Sequence, residues 1–577
     1  MKTLGINAAF HDSSACLVCD GAVVAAAEEE RFTQIKHGKR PMPFSAWELP
    51  YHAIDYCLDE AGLSLSDVDH VAYSFAPALL ANGALPSRIT LPLEPSSVLG
   101  RDGDAPWEAL FLSYIVNAPR QLAGGAPHHL SHRLCATNGT QPWRWHFVPH
   151  HLAHQASAFL AAPFDECAVL TLDGRGERAS TQYGAYRDSR YERLGEVKLP
   201  HSLGLLYEDV TRHLGFLHSS DEYKVMALAS LGTPRLVPEM RACVQVGDDG
   251  QYRIDGPPLA HWSSPRERGQ PFLPIHADIA HAAQRVLEEA VLEIARWLRE
   301  ATGLPHLAMA GGVALNCVMN GFLRDARVFD EIWVQPAAGD AGTALGAALW
   351  VDREARGGAD AARAFWMEHA YLGPAYSDLE IEGALAHAHA TYARPDDLPG
   401  LVADRLADDR IVGWFQGRME FGPRALGSRS ILASPLHPEM QRRLNELKDR
   451  EDFRPVAPAV LEEAAGEWFE DCVTSPFMLF VHRVPPERRS RIPAACHADG
   501  TARVQTVSRL HNPLYHDMIA AFAERAGVPV VINTSFNTRG KPIVCTPRDA
   551  LECFFTSPLD VLAIGPYVVE KGARPGR

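Results

Sequence analysis

The sequence predicts an α/β chain of two domains, the first built from a lobe that occurs twice. Three observations lead there. A run of strand, polar or glycine-bearing loop, strand, turn and strand begins at residue 3 and returns at residue 168. Amphipathic helical stretches follow these units. A polar Ala/Gly/Arg-rich stretch at 351–364 then reads as a linker, and the text beyond it changes character.

Each element follows from local chemistry. Strands are expected at 3–7, 14–19 and 23–28, with Asp20-Gly21 as the turn joining the last two. The second unit reads as 168–172, closing on Asp173-Gly174, then 181–186 and 193–199. A duplicated β-β-β unit with helices between is the signature of two ribonuclease-H-like lobes; two unrelated meanders are the alternative. Residues 76–144 have weak periodicity and carry Trp107, Phe111, Tyr114 and Trp143. They read as an insertion capping the first lobe, its aromatics forming its own core in preference to a ligand wall. Residues 275–301 form a long amphipathic helix, apolar at Ile279, Ala282, Val286, Ala290, Ile294 and Leu298. A strand at 307–310 leads into Gly311-Gly312, and 337–350 is a loop followed by an Ala/Gly-rich helix. In the second domain 402–408 is helical, and 411–415 and 528–532 are strands. The domains are set at 1–362 and 363–577.

The chain has 577 residues, 46% hydrophobic and 22% charged, which is ordinary globular usage and excludes disordered and fibrous classes. Its net charge of −16 opposes docking to nucleic acid or an anionic membrane over a broad surface. No apolar run approaches the ~20 residues that span a bilayer. The N-terminus lacks the apolar core of a signal peptide, so the cytoplasm is the expected compartment. The 11 cysteines are scattered and odd in number, against a disulfide scaffold. Cys16 and Cys19 sit in an apolar run and read as buried thiols rather than zinc ligands.

Three groups of residues carry chemistry. His150-His151-Leu152-Ala153-His154 precedes a helix-forming run. Residues four apart share a helix face, so His150 and His154 point two imidazoles at one place while His151 points away. Asp173 closes a strand and Asp340 lies in a glycine loop before a helix. Two imidazoles and two carboxylates suit iron, manganese or zinc; ordinary surface and core histidines are the alternative. Gly311, Gly312 and Asn316 follow a buried strand, where a backbone approaches a nucleotide and a helix start favours phosphate, although tight turns account for most glycine pairs. In the second domain Gly422-Pro423-Arg424-Ala425-Leu426-Gly427-Ser428-Arg429 is followed by Lys448, Arg454 and Arg503, then by Asn533 and Ser535. Cations gathered between glycines and prolines in an acidic chain call for an anion, and guanidinium pairs suit phosphate. His11, in the turn after the first strand, faces the cleft and is a candidate general base near its ordinary pKa of roughly 6.5.

These motifs, with Phe10-His11-Asp12-Ser13-Ser14-Ala15, Glu28-Glu29-Glu30-Arg31-Phe32, Leu172-Asp173-Gly174, Gly311-Gly312-Val313-Ala314-Leu315-Asn316, Glu420-Phe421-Gly422 and Asn533-Thr534-Ser535-Phe536-Asn537, resemble the O-carbamoyltransferase family of antibiotic biosynthesis and nodulation-factor modification. They run in family order along nearly the whole chain. The resemblance implies an ASKHA-type N-terminal domain, akin to the universal tRNA threonylcarbamoyl transferase subunit, and a YrdC-like α/β C-terminal domain. It implies that the second domain binds carbamoyl phosphate and ATP through Arg424, Ser428, Arg429, Lys448, Arg454, Arg503, Asn533 and Ser535, with magnesium an option beside ATP. Carbamoyl-adenylate made there passes internally to the first domain. There an iron(II)-type ion on His150, His154, Asp173 and Asp340 orients it, Gly311, Gly312 and Asn316 hold the nucleotide, and His11 deprotonates an acceptor hydroxyl as AMP leaves. The implied partner is a hydroxylated natural product, with no nucleic acid and no membrane; the acceptor and oligomeric state stay open, a homodimer being one option. The competing readings are an ASKHA kinase, a tRNA-modifying enzyme and a non-catalytic carbamoyl-phosphate sensor.

Overall fold

The computed structural model describes residues 1–38, 49–80, 111–124, 142–472 and 474–571. The chain forms two compact units, one of Met1–Val225 and Gly232–Met367, the other of Met226–Leu231 and Glu368–Arg577.

In the first unit, strands β1 (Lys2–Asn7), β2 (Ser14–Cys19), β3 (Ala22–Glu28), β4 (His70–Tyr73) and β5 (Arg144–Phe147) form one sheet in the order β3-β2-β1-β4-β5. The first three pair antiparallel; β4 pairs parallel with both β1 and β5. Strands β6 (Cys167–Leu172), β7 (Ala179–Arg187) and β8 (Arg190–Lys198) are followed by a small hairpin, β9 (Val244–Val246) and β10 (Tyr252–Ile254), then by β11 (His306–Ala310) and β12 (Glu331–Val334). Their sheet runs β12-β11-β6-β7-β8 with the same senses of pairing. Read outward from β1 and from β6, the two sheets have one topology, so the duplication lies in the architecture as well as in the sequence pattern.

Each sheet is followed by a helix that packs on the other lobe. Helix His150–Phe159 follows β5 and lies against β6 and β11; helix Ala341–Ala355 follows β12 and lies against β1 and β2. The two cross where Gly346 meets the backbone of Ala153. A Cβ there would stand 1.8 Å from the Ala153 carbonyl oxygen, so only glycine allows the approach. The long helix is Pro274–Thr302, and all six apolar positions read from its sequence are buried. Of the 76–144 insertion, 81–110 and 125–141, with Trp107, lie outside the described residues. Phe111 and Trp143, with half-buried Tyr114, join the core of the first lobe.

The second unit carries a seven-stranded mixed sheet. Its strands are β13 (Val412–Phe415), β14 (Arg429–Ala433), β15 (Ala457–Leu461), β18 (Gln505–Val507), β19 (Val530–Ser535), β20 (Val561–Ile564) and β21 (Tyr567–Glu570); a side hairpin holds β16 (Val481–Arg483) and β17 (Thr501–Arg503). The order is β18-β15-β19-β14-β13-β20-β21. Alternate residues serve two cores: Ile431, Val530 and Ile532 face one, Leu432 and Val531 the other. The helix expected at 402–408 starts earlier, at Leu398, because the Asp397 side chain accepts from Gly400 N–H and Pro399 fits the first turn.

Candidate metal centre and arginine loop

Within the first unit, His150, His154, Asp173 and Asp340 converge, all four buried, with one ligand atom of each within 4.8 Å of the others. His150 and His154 stand one turn apart on the first helix. Asp173 follows β6, and Asp340 directly precedes the second helix. The two Nε2 atoms are 3.1 Å apart. His150 Nε2 lies 3.5 Å from Asp173 Oδ2 and 3.6 Å from Asp340 Oδ1; His154 Nε2 lies 3.5 Å from the same Asp340 oxygen. Donor atoms ~2.1 Å from a shared ion stand roughly 3.0–3.4 Å apart; the imidazole pair meets this, and the imidazole–carboxylate pairs at 3.5–3.6 Å lie just beyond it, a small side-chain movement from closing on a cation. The Nδ1 atoms of both rings are buried without a hydrogen-bond partner, which leaves Nε2 as the working nitrogen of each. The donor set of two imidazoles and two carboxylates suits a transition-metal dication.

Neighbouring groups aim these side chains. Gly312 N–H donates to Asp173 Oδ1 at 2.9 Å. Gly311 makes the turn at φ 94°, where a Cβ would stand 2.2 Å from the Leu172 carbonyl oxygen. The Phe10 ring meets the His150 imidazole edge-on at 5.0 Å. Glu177, absent from the sequence reading, accepts from His150 N–H at 2.9 Å and from Ala76 N–H at 2.7 Å, so it closes the start of the histidine helix. Asn316 caps helix Cys317–Asp325 by accepting from Met319 N–H. His151 turns away to Thr171 and the Ala179 carbonyl, and burial holds it neutral at about 3.

Burial disfavours a charged His150, yet Asp340 and Asp173 outweigh it and lift the ring to about 9. Asp173 keeps its charge despite burial because of its hydrogen bond to His150 and the nearby His154. His11 Nδ1 lies 3.0 Å from Asp12 Oδ2, and Nε2 lies 3.9 Å from Asp340 Oδ2. Burial lowers it, but Asp340 and Asp12 prevail and raise it to about 10. This corrects the expectation of an ordinary pKa: among bare carboxylates His11 is a cation, and charge on those carboxylates must be neutralised before it works as a base.

In the second unit the arginine loop is organised by a buried carboxylate. Buried Glu420 accepts at Oε1 from the N–H groups of Leu426 and Ser428, each at 2.7 Å, and of Arg429 at 3.2 Å. These three loop amides are thus engaged by a carboxylate. Arg429 is a correction. It is fully buried, its guanidinium donating to the carbonyls of Gln416, Gly417, Ser428 and Pro374 and stacked 3.7 Å over Phe415. It braces the loop from beneath instead of facing an anion. Lys448 Nζ donates to both Ser535 and Asn537, side chain and backbone, which ties it to the Asn533–Asn537 segment; burial, with Arg450 and Arg454 nearby, pushes the ammonium down. Asn533 donates to the Ala425 carbonyl and to Gln505 Oε1. Arg424 and Arg454 are half-buried, while Arg503 stands on β17 beside His497.

Comparison with known proteins places these units. Residues 2–82 and 135–349 match the family model for the carbamoyltransferase N-terminus, and residues 403–571 that for the carbamoyltransferase C-terminus. Nodulation protein NolNO of Sinorhizobium fredii is 40% identical over 98% of this chain and 80% of its own length. An uncharacterized protein of Synechocystis is 39% identical over the full chain and 97% of its own. Among solved structures, a HypF from T. kodakarensis aligns at 13% identity over 63% of this chain and 49% of its own, with a TM-score of 0.38. The chain belongs to the carbamoyltransferase family and carries the N- and C-terminal domains of that family in one polypeptide.

Proposed function

We propose that the chain is an ATP-dependent O-carbamoyltransferase working in two steps. In the C-terminal unit, water takes the phosphoryl group of carbamoyl phosphate as phosphate, and the carbamate left behind attacks the α-phosphorus of ATP, giving carbamoyl-adenylate and releasing pyrophosphate. In the N-terminal unit, an acceptor hydroxyl attacks the carbamoyl carbon and AMP leaves. The observation that carries this reading is the convergence of His150, His154, Asp173 and Asp340 beside His11. Adenylation turns a poor acyl donor into one with a good leaving group, and a site shielded from water preserves it.

His150, His154, Asp173 and Asp340 would hold a divalent ion, iron(II) being the proposed one. Such an ion supplies Lewis-acid polarisation of an oxygen that it contacts. His11 Nε2 takes the hydroxyl proton once the surrounding carboxylate charge is balanced. The segment of Gly311, Gly312 and Asn316, which reaches the centre through Gly312 N–H on Asp173, is the proposed nucleotide-facing one. In the other unit Arg424, Arg454 and Arg503 meet phosphate charge, while Lys448 holds the Asn533–Asn537 segment beside them. The proposed acceptor is a hydroxyl of a natural product. Incubation with carbamoyl phosphate, ATP and candidate metabolites, followed by mass spectrometry, tests the reading. AMP, pyrophosphate and a carbamoylated product are expected. ADP with a phosphorylated product would replace it with a kinase.

A further inference from the structure

We propose that His37 is a positioning residue of the transfer centre, setting the orientation of His11 through the carboxylate of Asp12. This rests on the reading of His11 as the base. Asp12 uses both of its oxygens on imidazoles: Oδ2 lies 3.0 Å from His11 Nδ1, and Oδ1 lies 2.7 Å from His37 Nδ1. A carboxylate accepts, so each ring presents Nδ1–H to it, and the Nε2 of His11 is left facing Asp340. The far side of His37 is fixed too. Its Nε2 lies 2.8 Å from Ser220 Oγ, and that oxygen accepts from Lys36 Nζ at 3.0 Å. The hydroxyl can give its own hydrogen to Nε2, which matches the Nδ1–H form that the Asp12 carboxylate selects in His37.

The backbone is bent to serve this array. Phe10, Asp12 and His37 hold left-handed φ values of 54°, 52° and 68°, uncommon for residues with side chains and concentrated where function over-determines the local structure. Asn7 Nδ2 donates at 3.0 Å to the carbonyls of both His11 and Asp12, and His37 N–H donates to Glu30 Oε2 at 2.6 Å. Asp12 alone can pivot about its side-chain bonds. With His37 on its second oxygen it cannot, and the His11 ring is held in one tautomer and one plane, as an aspartate holds the histidine of a hydrolase triad.

The test compares two amide variants in the full-length chain. His37→Asn keeps a donor where Nδ1 stands; His37→Gln keeps one where Nε2 stands and loses the hold on Asp12. Water serves as the acceptor probe: AMP release with carbamoyl phosphate and ATP alone reads the transfer half, and carbamoyl-phosphate-dependent exchange of pyrophosphate into ATP reads the other unit. His37→Gln is expected to lower the kcat of AMP release about 10- to 100-fold, with KM for both substrates and the exchange rate unchanged, and His37→Asn to restore it. Nitrogen-labelled histidine NMR of the zinc-loaded chain, with His11 assigned through His11→Ala, should show the Nδ1–H form in the parent and in His37→Asn but not in His37→Gln. Equal rates and equal spectra for the two variants, or joint loss of AMP release and exchange, would overturn the role. A parent chain with neither AMP release nor exchange would refute the two-step reading instead, and the spectra would still decide the part played by His37.

Discussion

An imidazole held as a cation cannot ligate an ion, and His150 is such an imidazole. Its folded pKa of about 9 lies above the ordinary value of roughly 6.5. In the ion-free chain its contacts with the two aspartates therefore stabilise fully below pH ~6.5, and that contribution is lost as pH rises through about 9. Ion binding runs the other way, because the proton must leave first. Affinity should rise about tenfold per pH unit up to about 9, and chelator competition between pH 6 and 9 measures it; a flat profile would remove His150 from the ligand set. The i, i+4 histidine pair was legible because helical periodicity decides its facing. Asp173 and Asp340 were legible as strand-end and helix-start acids. Glu177, Glu420 and His37 were not, since each acts on a partner set by tertiary folding. Arg429 shows the limit differently: as the first residue of β14 it turns inward, and which face a strand residue takes is invisible until register is known.

Two elements bear on the sites through backbone fit. At the helix crossing, Gly346→Ala would drive a methyl into the Ala153 carbonyl. The helices must part, at a cost of about 1–3 kcal/mol, and the histidines move with them. Calorimetry should show the lost stability and metal analysis a lower ion content; a variant that binds its ion normally would show that the close approach is incidental. In the arginine loop, Glu420→Ala strands three buried N–H donors, each costing about 1–3 kcal/mol. Glu420→Gln keeps an acceptor at Oε1 and tests the charge alone. We expect the alanine variant to raise KM for carbamoyl phosphate about tenfold or more, equivalent to ~1.4 kcal/mol, with the glutamine variant milder; steady-state kinetics of pyrophosphate release would show it. The main strands and the long helix were legible to within a few residues, because alternation and the 3.6 period are local. The pairing order of the sheets was not, because it depends on contacts distant in sequence.

On the scale of the molecule, the proposed mechanism divides the chemistry between the two units. His11→Ala should abolish carbamoyl transfer while leaving pyrophosphate exchange, and Arg424→Ala should abolish exchange while a supplied carbamoyl-adenylate is still consumed. Loss of both activities in either variant would refute the division. No helix among the described residues is long and apolar enough to cross a membrane. The four buried donors of the centre come from both repeats. The imidazoles follow the last strand of one repeat, and the two carboxylates belong to the other, so any ion they share staples the halves of the N-terminal unit together. Stripping it with a chelator should make that unit melt earlier and open to protease. A ligand present at 100 times its dissociation constant contributes about 2.7 kcal/mol of resistance. The supply of the ion in the cell would then govern how long the enzyme survives as well as how fast it turns over.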